Sequence, residues 1–270
     1  MTADHTATAA AGDGPLRVTL LGTGAAGGVP MISAGWGDCD PAEPRNRRLR
    51  SSILVEQGDT RILVDTGPDV REQLLTAGVS RLTGVLYTHA HADHIHGLDE
   101  LREVNRAMRA PLPVWGDEAT LADLKLRFSY AFEGIDLDTQ PIFRPWLIPH
   151  LLEPQVTVGG LAVQCFPQDH GWTTSWGFRI GDFAYSTDVL ELDEAAFSVL
   201  AGVRTWVVGC LTTHPHSTHA HVDKVIGWHR RVKPQRTVLT HMGPGLDYRT
   251  LCDTLPAGIE PGYDGMVLEV

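Results

Sequence analysis

The chain has little cysteine: four residues, at positions 39, 165, 210 and 252, with no CxxC pair among them. That excludes a disulfide scaffold and a thiolate zinc knuckle, and it leads us to expect free thiols in a reducing, cytoplasmic compartment. Basic charge is also short, with 22 Lys and Arg against 33 Asp and Glu and a formal net charge of −11. A duplex nucleic-acid binder needs a basic face, so no nucleic-acid partner is expected. No apolar run reaches the roughly 20 residues that span a bilayer, so no membrane partner is expected either. Met1 to Gly14, rich in Ala, Thr and Gly, has neither a basic start nor an apolar core, and reads as a disordered tail instead of a signal peptide.

What is present is an ordinary globular composition, 43% hydrophobic and 20% charged over 270 residues, enough to bury a large core. No polar linker interrupts it. Residues 15–270 are therefore expected to form a single domain of two similar strand-rich lobes.

The stretch that stands out is Thr88-His89-Ala90-His91-Ala92-Asp93-His94, directly after the apolar run Val85-Leu86-Tyr87. Imidazoles and carboxylates compete for water and do not build a core, but together they suit zinc, manganese or iron. His89 and His91, two apart, point the same way on an extended segment, while Asp93 and His94 can straddle a neighbouring ion as the chain turns into a helix. One segment can thus feed two metals about 3.5 to 4 Å apart, the separation used in two-metal hydrolysis.

Around this stretch the patterning predicts strands over 17–21, 52–56, 61–65 and 83–87, and a short helix over 69–77 closed by Gly78. An amphipathic helix follows to Met108, and another stands behind an Asp117 cap. The glycine-rich loop from Gly22 to Pro30 opens no amphipathic helix, so it is not a nucleotide fingerprint; its expected role is to bring backbone close to the site. The tract Arg45, Arg47, Arg48 and Arg50 reads as a solvated loop, or else as a clamp for a substrate anion. Residues 136–154, with four prolines, are expected to be loop. Beyond them strands are predicted at 156–158, 161–166, 175–180, 183–186, 205–208, 237–240 and 266–269, with helices at 192–200 and 222–231.

Four lone polar residues also follow strands. Asp65 ends the run Ile62-Leu63-Val64 and is placed to orient a ligating histidine. His170, Asp188 and His241 follow later strands and, with the cluster, complete a ligand set for two ions, Asp188 bridging through its two oxygens. His214, His216, His219 and His221 precede the helix at 222–231, where a histidine can protonate a leaving group.

With His89-x-His91-x-Asp93-His94 followed by His170, Asp188 and His241, the chain resembles the metallo-β-lactamase superfamily. The resemblance implies an α/β architecture, an αββα sandwich of two mixed β-sheets flanked by helices with metals at one edge. It also implies the division of ligands: His89, His91 and His170 on one ion, Asp93, His94 and His241 on the other, Asp188 shared. Gly22-Thr23-Gly24, Gly28-Val29-Pro30, the run from His94 through Gly97-Leu98-Asp99 to Leu101-Arg102, Ser186-Thr187-Asp188 and Tyr263-Asp264-Gly265-Met266 are most similar to the phosphonate-pathway cyclic phosphodiesterases. That group cleaves a phosphoribosyl 1,2-cyclic phosphate, and its general-acid histidine corresponds in spacing to His219. Its structural-zinc cysteine cluster is reduced here to Cys39, so no structural zinc is expected.

These readings combine into a dinuclear hydrolase holding two divalent ions, Zn or Mn with Fe as a further choice. It is expected to act on a small phosphodiester, linear or cyclic, by attack of a metal-bridging hydroxide, with His219 and Asp65 as catalytic residues. The alternatives are a lactone or thioester hydrolase of the same fold, or a metal-binding accessory protein similar to the pyrroloquinoline quinone biosynthesis protein B. A homodimer is left open.

Overall fold

The computed structural model describes residues 14–270; the tail expected at 1–14 lies, but for Gly14, outside the described residues. The strands and helices run β1 (Arg17–Gly22), β2 (Ser52–Gln57), β3 (Thr60–Val64), α1 (Val70–Thr76), β4 (Gly84–Leu86), α2 (Ala92–Ile95), α3 (Leu101–Met108), β5 (Leu112–Gly116), α4 (Glu118–Arg127) and β6 (Leu147–Leu151). They continue through β7 (Gln155–Val158), β8 (Leu161–Asp169), β9 (Thr174–Ile180), β10 (Phe183–Ser186), α5 (Glu194–Leu200), β11 (Thr205–Gly209), α6 (Val222–Val232), β12 (Arg236–Thr240), α7 (Tyr248–Thr254), β13 (Ile259–Pro261) and β14 (Val267–Glu269).

Among the described residues the strands form two seven-stranded mixed sheets, ordered β14-β1-β2-β3-β4-β5-β6 and β13-β12-β11-β10-β9-β8-β7. Val18, Leu20, Ile53, Ile62 and Val64 of the first sheet pack with Val163, Phe178, Tyr185, Val207 and Val238 of the second in one continuous core. Helices cover the outer faces: Val70, Leu74, Leu101, Val104, Leu121 and Leu124 pack on the first sheet, and Ala196, Leu200, Val225 and Trp228 on the second. The αββα sandwich expected from the resemblance is the fold observed.

Both sheets run parallel where it matters. β3, β4, β5 and β6 are parallel neighbours, as are β10, β11, β12 and β13. Parallel strands put their carboxyl ends on one edge, so the loops after β3, β4, β10 and β12 emerge together there.

Three elements depart from the sequence expectations. The proline-rich stretch read as loop contains β6, an edge strand in which Pro149 needs no ladder donor. α7 and β13 are short and were not anticipated. The arginine tract is not uniformly solvated either: Arg48 is buried at 2% exposure, its guanidinium donating to the carbonyls of Gly243 and Leu246 and to Asn46 Oδ1, with Cys39 Sγ at 3.8 Å. Arg45 pairs with Glu43 and Arg50 with Asp69.

Candidate metal centre

β4 delivers the histidine cluster. After Leu86 the chain leaves the sheet through Thr88 and His89, and His91 caps a single turn of helix, α2, that carries Asp93 and His94. That turn sits unusually close to the loop after β3. Thr66 N–H donates to His94 O, Gly97 N–H to Thr66 O, and a Cβ on Gly67 would lie 2.1 Å from Asp93 O, so only glycine fits. From the second sheet His170 follows β8, Asp188 follows β10 and His241 follows β12. Trp176 N–H donates to Thr88 O and ties the two contributions across the sandwich.

The donor atoms fall into two groups, each within 4.8 Å: His89, His91, His170 and Asp188, and Asp93, His94, Asp188 and His241. Asp188 is common to both. In the first, His89 Nε2 and His91 Nδ1 are 2.9 Å apart, His170 Nε2 and His91 Nδ1 3.2 Å, and Asp188 Oδ2 lies 3.8 Å from His89 and 3.7 Å from His170. In the second, His94 Nε2 is 3.2 Å from Asp93 Oδ2 and 3.3 Å from Asp188 Oδ1, while His241 Nε2 is 3.5 Å and 3.2 Å from the same two atoms. A tetrahedron of ligands each about 2.1 Å from a zinc has edges near 3.4 Å, so these spacings fit a divalent ion in each group.

The electrostatics favour the same reading. His94 Nε2 and His241 Nε2 are buried with no hydrogen-bond partner, an arrangement that is costly unless a cation takes the lone pair. Burial drives His89 well below the usual histidine range and His170 down to about 4, so both are neutral donors at pH 7. Asp188 is held well below the usual carboxylate range: burial opposes ionisation, but His241, His94 and His219 outweigh it. Without a cation the same carboxylates, Asp188 and Asp93 with Asp65, hold His94 well above its ordinary value against the effect of burial.

Asp65 takes the orienting position. It is fully buried, accepts from Thr88 N–H and Oγ1 (2.8 Å each) and lies 2.7 Å from His94 Nδ1, which leaves His94 Nε2 facing the ligand group. Asp65, Asp188 and His241 all adopt left-handed φ (65°, 49° and 53°), which costs an L-residue about 1 kcal/mol or more. Each comes at a strand end, and the turn swings its side chain across the sheet edge.

His219 stands against this cluster. Its Nε2 is 3.3 Å from Asp188 Oδ2, and its ring stacks on His241 at 5.0 Å and meets His170 edge-on at 4.7 Å. Of the other histidines of its loop, His216 lies against His219, its ring 5.3 Å away, while His214 is exposed and His221 stands at the N-terminal boundary of α6 without a side-chain capping bond. His96 packs against Phe128, and His150 stacks on Trp115 in β6. The glycine loop reaches the centre as expected, Ala25 N–H donating to Met242 O and Met242 N–H to Thr23 O beside His241. Asp264, seen in the sequence only as part of a terminal motif, has a half-buried carboxylate that accepts from Thr23 N–H, Thr23 Oγ1 and Leu49 N–H and so anchors that loop.

Comparison with known proteins agrees with this geometry. Residues 60–242 match the family described as beta-lactamase superfamily domain. A solved structure described as a new diphosphatase from the PhnP family superposes with a TM-score of 0.85 at 32% identity, over 95% of this chain and 98% of that one. Zn(2+)-bound PqqB from Methylobacterium extorquens shares the fold, with a TM-score of 0.71 at 19% identity over 94% of this chain and 100% of that one. A Porphyromonas gingivalis protein named octanoyltransferase is 28% identical over 254 residues, 93% of this chain; the chain spans about half of that relative's length, 51%. The chain belongs to the beta-lactamase superfamily and carries its metallo-β-lactamase fold.

Proposed function

We propose that the protein is a metal-dependent hydrolase of small phosphodiesters, holding two divalent ions, one in each ligand group. The observation that carries this reading is the sharing of Asp188 between the two groups, with His219 standing on the same carboxylate. When bound, the ions supply an activated water and offset the negative charge that grows on the phosphoryl oxygens. His89, His91 and His170 would hold one of them and Asp93, His94 and His241 the other. Asp65, 2.7 Å from His94 Nδ1, would hold that ring with Nε2 free to bind an ion. His219, whose Nε2 lies 3.3 Å from the shared Asp188 Oδ2, donates a proton to the departing alkoxide.

The similarity to a PhnP-family diphosphatase along nearly the whole chain supports a phosphorus centre. The relative named octanoyltransferase keeps an acyl substrate, a thioester or lactone, as the second reading. A panel of cyclic and linear phosphodiesters, lactones and thioesters, run alongside metal analysis of the purified protein, separates the two. Diester turnover that disappears in Asp188→Ala and His94→Ala supports the proposal, and wild-type turnover of bis(p-nitrophenyl) phosphate by either variant refutes it. Metal without turnover on any substrate would indicate an accessory protein instead.

A further inference from the structure

A cavity of about 320 Å3 lies between α1, the outer face of β1 and the turn that precedes β14, and no ligand of the metal centre lines it. Two of its polar side chains are buried with an oxygen that no described residue satisfies. Gln73, at 2% exposure, donates Nε2 to Arg50 O at 2.8 Å; the reverse orientation would set two oxygens against each other, so Oε1 is the atom left without a partner. Thr19, at 7% exposure, has its Oγ1 in the same condition. Such orphaned groups are rare in folded proteins, because each is costly until something bonds to it.

The third polar group of the wall is the half-buried Asp264 carboxylate, whose three hydrogen bonds all come from neutral donors, Thr23 N–H, Thr23 Oγ1 and Leu49 N–H. Arg48, whose charge reaches it, directs its own donors to Gly243, Leu246 and Asn46, and Arg17 at the rim of the cavity is paired with Glu56. Burial outweighs what these neighbours supply and pushes the Asp264 carboxyl up to about 6, the mark of a carboxylate short of positive charge. An amide oxygen, a hydroxyl and a carboxylate in one wall suit a partner that donates and is cationic. A primary ammonium has three N–H donors and no lone pair. A bare metal ion fits less well, because the space is about ten times the roughly 30 Å3 share of one water, and Leu21, Leu49 and Ala77 give it an apolar side on which a carbon stem can lie.

We propose that this cavity is a binding site for a small primary alkylammonium ligand, its charged head held by Asp264, Gln73 Oε1 and Thr19 Oγ1 and its stem on Leu21, Leu49 and Ala77. The site is separate from the metal centre and stands whether or not the hydrolase reading above does. It is nonetheless joined to that centre, because Asp264 holds Thr23, whose carbonyl accepts Met242 N–H beside His241.

The probe is butylammonium chloride, titrated at pH 8, where Asp264 is ionised, into ¹⁵N-labelled, zinc-saturated protein. Saturable shifts are expected at Thr19, Leu49, Gly265 and the Gln73 side-chain amide, with a Kd of about 1 mM for so small a ligand. Butanol, which lacks the charge, and butyltrimethylammonium, which lacks the N–H donors, should not compete. Asp264→Asn should weaken binding about tenfold or more, and Gln73→Leu and Thr19→Val about three- to tenfold each. Asp264→Asn also loosens Thr23 and Leu49, so Thr19→Val, which keeps the side chain's shape, decides the matter if that variant fails to fold. Absence of a saturable shift up to about fifty times the expected Kd means that the cavity holds water only and overturns the inference. Equal binding of butanol, undiminished binding in both Gln73→Leu and Thr19→Val, or shifts confined to the histidine cluster would overturn it as well.

Discussion

Removing Asp65 tests how the centre is held together. The carboxylate is fully buried and joins three partners: Thr88 N–H, Thr88 Oγ1 and His94 Nδ1. Its burial pushes its pKa up, and His94 and Thr88 pull the other way. Asp65→Ala leaves a buried amide, a hydroxyl and an imidazole N–H without acceptors. Hydrogen bonds to a charged group are worth about 1.5 to 3 kcal/mol each, but the variant also escapes the cost of burying the carboxylate, so a net loss of about 3 to 5 kcal/mol is expected. Asp65→Asn separates charge from shape, since Asn tolerates the left-handed backbone found here. Its amide can satisfy Thr88 or His94 but not both, and His94 then places its hydrogen on Nε2, where the ion should be. Metal affinity should fall about 10- to 100-fold in Asp65→Asn, read by competition with a chromophoric chelator. Urea unfolding in chelator measures the stability term. Asp65→Ala unfolding within about 1 kcal/mol of wild type, together with unchanged metal affinity in Asp65→Asn, would refute the reasoning.

Asp264 makes a pH prediction. Burial raises its pKa to about 6, above the usual carboxylate range, so the folded state binds this proton more tightly than the unfolded chain. The associated stability is present below about pH 4 and is lost as pH rises through about 6, a change of about 3 kcal/mol. The stability difference between wild type and Asp264→Asn, measured by denaturation in chelator, should therefore change by about that amount between pH 4 and 7. Gly67→Ala drives a Cβ to 2.1 Å from Asp93 O and should cost about 3 kcal/mol or more, seen as a lower unfolding midpoint, with loss of metal affinity because α2 must move. Saturating zinc or manganese at about 100 times its Kd should add about 2.7 kcal/mol to wild-type stability by calorimetry, and much less to Asp188→Ala.

The sandwich and the positions of the ligands could be read from the chain because each chemical residue ends an apolar run, and parallel strands gather such ends on one edge. His170, Asp188 and His241 are bland singly, and they became informative only as a set. What escaped notice depends on distant partners. β6 was hidden by Pro149, which breaks strand patterning but costs an edge strand nothing. Arg48 sits in a tract whose composition says surface, and the carbonyls that hold it come from Gly243 and Leu246, almost two hundred residues away. Thr218 is an ordinary loop threonine until the fold sets its carbonyl against His170. Asp264 appeared only as part of a terminal motif, and nothing near it in sequence shows that it receives Thr23 and Leu49.

The ligand donors are divided between the two sheets, four from the turn after β4 and three from the ends of β8, β10 and β12. Neither sheet holds a complete coordination sphere, so whatever binds there is a clasp as well as a reagent. Its affinity is then partly the free energy of keeping two halves of a clam in register, and any change that lets the halves drift loosens the grip without touching a ligand. Removing the clasp should free the lip of the shell first, because the apolar packing of Ile62, Val64, Val163, Tyr185 and Val207 still holds the valves together.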